Sequence, residues 1–161
     1  MKAAAILLLA AGLAAAQKLP WENGDSQTPQ KQFVRYLYPE QVEIAANKDS
    51  IVELHFEVNT GFHINSHMPH EKSFIPTQLI VAEPTGVKIA SVDFPPGTDF
   101  SLASFPNEKL SVYTGEFIVR AHVKADPGDH LIQAQLRYQA CDAMSCFPPR
   151  KAPVAVDVIA K

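Results

Sequence analysis

Between Ile51 and Val58 apolar and polar side chains alternate: Val52, Leu54, Phe56 and Val58 fall on one side, Glu53, His55 and Glu57 on the other. A period of two belongs to a strand with one face buried and one in water. Glu116 to Lys124 repeats it, with Phe117, Val119, Ala121 and Val123 inward and Arg120, His122 and Lys124 outward. From Leu131 to Ala140 the inward row is Ile132, Ala134, Leu136 and Tyr138, set against Gln133, Gln135, Arg137 and Gln139. Val154, Val156 and Val158 mark a last strand; Val42–Ala45, Phe62–Asn65, Thr77–Ala82 and Val87–Val92 are shorter candidates. Between them stand clusters of Pro, Gly, Asn and Asp: Asn47-Lys48-Asp49, Glu83-Pro84-Thr85-Gly86, Pro95-Pro96-Gly97 and Asp126-Pro127-Gly128-Asp129. Such residues make tight turns. Many short strands and no amphipathic helical period predict an all-β antiparallel sandwich from about Val34 to Ile159. A jelly roll or small barrel is the alternative with the same pattern.

The first residues obey a different rule. Met1-Lys2 is a short basic start, Ala3 to Leu13 an apolar run, and Ala14-Ala15-Ala16 a small-residue cleavage signature. The run falls short of the roughly 20 apolar residues needed to span a bilayer, so residues 1–16 read as a secretory signal peptide. Cleavage after Ala16 gives a periplasmic or secreted chain. Gln17 to Lys31, polar and carrying Pro20, Gly24 and Pro29, reads as a flexible lead-in, so that residues 17–32 precede a folded domain over residues 33–161. No later stretch is apolar enough for a membrane span. The whole chain has 161 residues, 47% hydrophobic, with a net charge of −3. That is enough apolar material for one core, and the scattered Lys and Arg give no footprint for nucleic acid. Two cysteines are too few for a four-cysteine zinc site, and neither a phosphate-cradling loop nor a G-x-S-x-G elbow is present.

The two cysteines therefore carry the chemistry on offer. Cys141-Asp142-Ala143-Met144-Ser145-Cys146 follows the strand ending at Tyr138 and precedes Phe147-Pro148-Pro149. A loop at a strand end, in an exported chain with an even cysteine count, predicts that Cys141 and Cys146 are bonded to each other. Two uses of that bond stand open. As a staple it closes only about six residues and removes little unfolded-state entropy, roughly 2 kcal/mol. As a redox pair it sits where another protein's thiolate can reach it.

The segment Tyr138-Gln139-Ala140-Cys141, a short acid-containing loop, then Cys146-Phe147-Pro148-Pro149, closely resembles the active-site segment of the N-terminal periplasmic domain of DsbD. Gly61-Phe62-His63-Ile64-Asn65-Ser66, Phe74-Ile75-Pro76-Thr77 and Tyr113-Thr114-Gly115 resemble further stretches of that family, so the likeness runs from about Glu40 to Ile159. It implies an immunoglobulin-like sandwich whose cysteine pair relays electrons between thiol proteins. It also implies roles: Cys146 forms the mixed disulfide with a partner and Cys141 resolves it. An aromatic-bearing segment covers the pair in the family, and Ser101–Asn107, with Phe105 as the covering ring, is its counterpart by position. The best-known member has one residue more between its cysteines, and acidic residues beside its covering aromatic. The sequence carries no membrane or thioredoxin-like domain, so the resemblance implies thioredoxin-like periplasmic partners and a membrane electron donor that are separate proteins. No cofactor or metal is expected.

The remaining candidates have two readings each. His63, His67 and His70 with Met68 suggest metal ligands, but His63 and His67 lie about 13 Å apart along a strand and Pro69 forbids a helix between them. His63 is expected either packed at the sandwich end or beside the cysteines, where an imidazole polarises a thiol. Asp142 is either a proton carrier for the exchange or a turn residue capping its own loop. Tyr138 either underlies the disulfide or fills the core. Asn65, on the same strand as His63, is a supporting candidate. Trp21 lies in the lead-in, as a partner anchor or as nothing. Against the exchange reading stands one rival: a secreted immunoglobulin-like binding module whose disulfide is only structural.

Overall fold

In the computed structural model, the described residues are 31–38, 41–82, 86–102 and 105–161, the side chains of 102, 105 and 106 excepted. Residues 1–30, expected as a signal peptide and most of a lead-in with Trp21, and the Glu83–Thr85 part of one turn fall outside them. Lys31–Lys161 is one compact unit.

The alternating segments become strands, and no helix occurs among the described residues. In chain order the strands are β1 (Val34–Leu37), β2 (Val42–Ile44), β3 (Ser50–Val58), β4 (His63–Asn65), β5 (Gln78–Val81), β6 (Val87–Asp93), β7 (Thr98–Leu102), β8 (Phe105–Tyr113), β9 (Glu116–Ala125), β10 (Gly128–Tyr138), β11 (Ala140–Cys141) and β12 (Arg150–Ala160). They pair into three sheets, ordered β1-β3-β9-β6, β2-β12-β10-β5 and β11-β4-β8-β7. The pairings are antiparallel except β2 with β12, which is parallel.

The first two sheets form the sandwich. Val52, Leu54, Phe56 and Val58 of β3, and Phe117, Val119, Ala121 and Val123 of β9, are buried in one core with Ile132, Ala134, Leu136 and Tyr138 of β10 and Val154, Val156 and Val158 of β12. Their polar neighbours face water, as the period of two requires. Burying each large side chain contributes about 1.5–3 kcal/mol. The result is the immunoglobulin-like all-β sandwich that the alternation and the resemblance predict. Pro153 lies within β12 opposite Gln135, but β2 covers β12 only from Val158 to Ala160. The proline thus stands where β12 has a neighbour on one side only, the place where a missing N–H is tolerated.

The third sheet extends one end of the sandwich. β8 leads through Thr114-Gly115 into β9, and β11 continues β10 after Gln139. Its existence departs from expectation. Of the segment expected as the cover, Ser101, Leu102 and residues 105–107 lie in strands β7 and β8, whose backbones pair Thr98 with Val112 and Leu102 with Phe105. β7 is an edge strand whose register slips between Phe100 and Leu102, and β8 is exposed from Asn107 to Lys109, so neither shows clean alternation. Gly97 allows the hairpin to seat: a Cβ there would meet Ser111 Oγ at 2.1 Å and Ser66 Cβ at 2.7 Å.

Candidate functional site

β10 ends at Tyr138, and after Gln139 the chain forms a tight hairpin. Phe147 N–H donates to Ala140 C=O at 2.8 Å, and Asp142 N–H donates to Ser145 C=O at 3.0 Å. Cys141 and Cys146 face each other in the bridge between them. This is the non-hydrogen-bonded position of an antiparallel pair, where Cα atoms approach most closely and side chains share a face. Their Cα atoms are 3.9 Å apart and the sulfurs are bonded. The turn chemistry of the intervening residues is thus what places the disulfide.

Asp142 supplies that turn chemistry. Its Oδ1 accepts from Met144 N–H and Ser145 N–H, each at 2.8 Å. These two bonds hold its carboxyl below the usual carboxylate range, with the His63 ring adding to the effect. Asp142 is therefore ionised near neutral pH and occupied in capping its own loop.

The two cysteines differ in burial. Cys141 is 3% exposed, whereas Cys146 is exposed. Beside them Met144 stands 92% exposed at the tip of the turn. Behind Cys146 the chain is anchored: the Phe147 ring lies 4.7 Å from Phe33 and 5.9 Å from Phe62. Lys31 sits over the Phe33 and Phe62 rings, its Nζ 5.6 and 4.9 Å from their centres. Phe147 C=O accepts from Gln139 Nε2 at 3.2 Å, and Gln139 Oε1 accepts from Asn65 Nδ2 at 3.4 Å. Asn65 Nδ2 also donates to Ile75 C=O at 3.0 Å. Asn65 is thus tied to the segment following Cys146 through Gln139. Gln139 is legible in the sequence as an outward residue of the alternating row and as part of the resembling segment; its clamp on Phe147 leaves no signal in the pattern.

Tyr138 is fully buried in the core. Its hydroxyl accepts from Phe33 N–H and donates to Gln32 Oε1, both at 3.2 Å. Burial raises its pKa. It pins the point where the chain enters the fold.

His63 lies beside the cysteines. Across the β4–β11 ladder it is the partner of Cys141, as Ile64 is of Ala140. Opposed residues in such a ladder project on one face with Cβ atoms about 5 Å apart. The imidazole is 3% exposed and packs 4.6 Å from the Phe100 ring. Its Nε2 is buried without a hydrogen-bond partner, which costs about 1–3 kcal/mol. Burial lowers its pKa below 6.5, opposed by the Asp142 charge. Gly61, with φ at 84°, turns the chain from β3 into β4 just before it. His63, Phe100, Phe62, Glu57 and Ala143 line a cleft of about 450 Å³.

Phe100 is the aromatic found against this site; the side chain of Phe105 lies outside the described residues. An acid, Asp99, does stand beside Phe100, held by His70 at 3.1 Å and Lys109 at 3.3 Å. Phe100 directly precedes Ser101–Asn107, the segment to which the resemblance points as the cover. His67 and His70 are exposed, and among the described residues no three His, Cys, Asp or Glu side chains are grouped as a metal would need. A larger cleft, about 880 Å³, is lined by Tyr36, Val81, Gln133, Gln135 and Val154 among others and by neither cysteine.

The sequence model of the family described as thiol:disulfide interchange protein DsbD, N-terminal, matches residues 33–157. No curated protein sequence matches the chain. Solved structures are similar as well, among them the following two. The reduced DsbD N-terminal domain of Neisseria meningitidis shares 19% identity at a TM-score of 0.40, over 68% of this chain and 78% of that one. The N-terminal periplasmic domain of ScsB from Proteus mirabilis shares 13% at 0.45, over 70% of this chain and 42% of that one. Among the described residues no helix is long and apolar enough to cross a membrane.

Proposed function

The chain belongs to the family of DsbD N-terminal domains, and from that premise we propose that it is a periplasmic thiol–disulfide exchange domain working through Cys141 and Cys146. The observation that carries the reading is the asymmetry of the pair: one cysteine exposed, the other buried, on a hairpin whose turn and flank are both fastened. A staple has no need of such a difference; a relay does.

A partner thiolate attacks Cys146 Sγ, forming a new S–S bond as the Cys141–Cys146 bond breaks. Cys141 leaves with the electron pair and takes up a proton. The partner's second thiolate then attacks the mixed disulfide and frees Cys146. The partner dithiol is oxidised and this pair reduced, by two electrons and two protons. In the opposite direction Cys141 attacks the mixed disulfide at Cys146 and expels the partner thiolate. Thioredoxin-like periplasmic proteins, which present one reachable thiolate, fit the exposed Cys146 and the open ground around Met144. A membrane electron donor supplies the electrons. The signal peptide ends at Ala16, and the domain proper spans residues 33–161. Cys141 is the resolving residue, and Asp142 serves the turn rather than carrying protons.

The test is trapping. Cys141→Ser is expected to accumulate a mixed disulfide with a thioredoxin-like protein in the periplasm, and Cys146→Ser to accumulate little. Equal trapping would reverse or abolish the role assignment. No trapping, together with a reduction potential below about −300 mV, would leave only the structural staple.

A further inference from the structure

We propose that His63 is the proton acceptor for Cys141 as it resolves a mixed disulfide at Cys146, and the proton donor to it in the reverse step. The inference rests on the exchange reading above and adds a catalytic residue to it.

Three observations converge on the imidazole. It is the ladder partner of Cys141, so the two side chains leave the same face of neighbouring strands. Both are 3% exposed, which keeps water from serving the sulfur. Nε2 has no partner while the cysteines are bonded. A disulfide sulfur is a poor hydrogen-bond acceptor, but the thiol or thiolate that replaces it is a donor or a strong acceptor. In the reduced state or the mixed disulfide, the Cys141 thiol is thus a partner for Nε2.

The charged surroundings suit the task. Asp142, from the turn, is the charged group acting on the ring. β11 brings Cys141 and β7 the uncharged Phe100 ring. Asp99 next to Phe100 is engaged by His70 and Lys109. β8 brings Tyr113 alongside Ile64, its hydroxyl donating to Pro95 C=O at 2.8 Å. Glu57, in the same cleft, is paired with Arg35. Burial keeps the imidazole neutral at neutral pH, and so able to accept a proton. Once protonated, it faces the carboxylate of Asp142. The step balances: the Cys141 S–H bond breaks, its proton moves to Nε2, its sulfur bonds to Cys146 Sγ, and the partner leaves as a thiolate with the electron pair. The imidazolium then returns its proton to that thiolate or to solvent.

The experiment uses the reduced mature chain and an aromatic disulfide, dithiobis(nitrobenzoate). Attack by Cys146 releases the first nitrothiolate; attack by Cys141 on the resulting mixed disulfide releases the second. His63→Phe keeps a ring against Phe100 and removes the nitrogen. The second phase is expected to slow about tenfold or more relative to the first. Its pH midpoint is expected to move up once the accepting nitrogen is gone. An unchanged ratio and midpoint overturn the proposal while leaving exchange standing; a Cys146 that never reacts overturns both. A second readout needs no variant. In the wild type, the nuclear magnetic resonance titration of the His63 ring is expected to move by about one pH unit on reduction. Identical titrations in both redox states would sink the idea.

Discussion

Tyr138 illustrates how far one hydroxyl reaches. Its ring is part of the core, while its oxygen holds Phe33 N–H and Gln32 Oε1. Tyr138→Phe keeps the ring and strands the Phe33 amide, so a loss of about 1–3 kcal/mol is expected in urea unfolding. Faster hydrogen exchange at the Phe33 amide would localise it. His63 carries a pH consequence. Its folded pKa lies below the unfolded 6.5, so the unfolded chain binds the extra proton between the two values. The stability it contributes is present above pH 6.5 and is lost as pH falls toward the folded value. Lowering the pH from about 7.5 to about 5 should therefore destabilise the wild type more than His63→Phe; equal losses would contradict this. At this scale the sequence was partly legible. Cys141, Cys146 and the capping role open to Asp142 follow from spacing and turn chemistry. The chain Asn65–Gln139–Phe147 does not, because its members are brought together by ladders between segments 74 residues apart.

At the level of elements, the strongest strands are those whose alternation is longest. β3, β9, β10 and β12 each bury a full row against the opposite sheet, so the pattern in the residues and the row in the core are one fact. β1, β7 and β8 escaped notice for the converse reason. β1 is short, and β7 and β8 belong to a sheet at the end of the sandwich, where burial is incomplete and the period of two fades. The β7–β8 hairpin nevertheless positions Phe100 over His63, and it seats through Gly97. Gly97→Ala must displace Ser66 or Ser111. An overpacking cost of about 1–3 kcal/mol is expected, with the His63 ring becoming more exposed. The check is the rate of His63 modification by an acylating reagent, which should rise in the variant. Phe56 offers a contrast, being central to β3 and fully buried. Phe56→Ala is expected to cost about 3–5 kcal/mol in unfolding measurements, without singling out the cysteine loop.

For the molecule as a whole, the disulfide is peripheral to stability. The core cluster is built mainly from the apolar rows of the sandwich; Cys141 is buried beside it without joining it, and Cys146 is exposed. Reduction is expected to leave the far-ultraviolet circular dichroism unchanged and to lower stability by about 2 kcal/mol, the cost of opening so short a loop. Unfolding on reduction would mean that the hairpin braces the sandwich after all. A domain that alternates between two redox states needs this independence, since its shape must survive both.

The course of β12 has a practical corollary. The strand starts at Arg150, just past the cysteine hairpin, and runs straight to Ala160. At about 3.3 Å per residue, that sets Lys161 some 30 Å or more from the disulfide. The opposite is true of Lys31, whose ammonium sits over the Phe33 and Phe62 rings that pack on Phe147. The two ends of the folded unit are thus unequal handles. A dye, bead or sensor surface coupled beyond Lys161 leaves Cys146 facing the bulk, whereas the same attachment at Lys31 crowds the ground beside it.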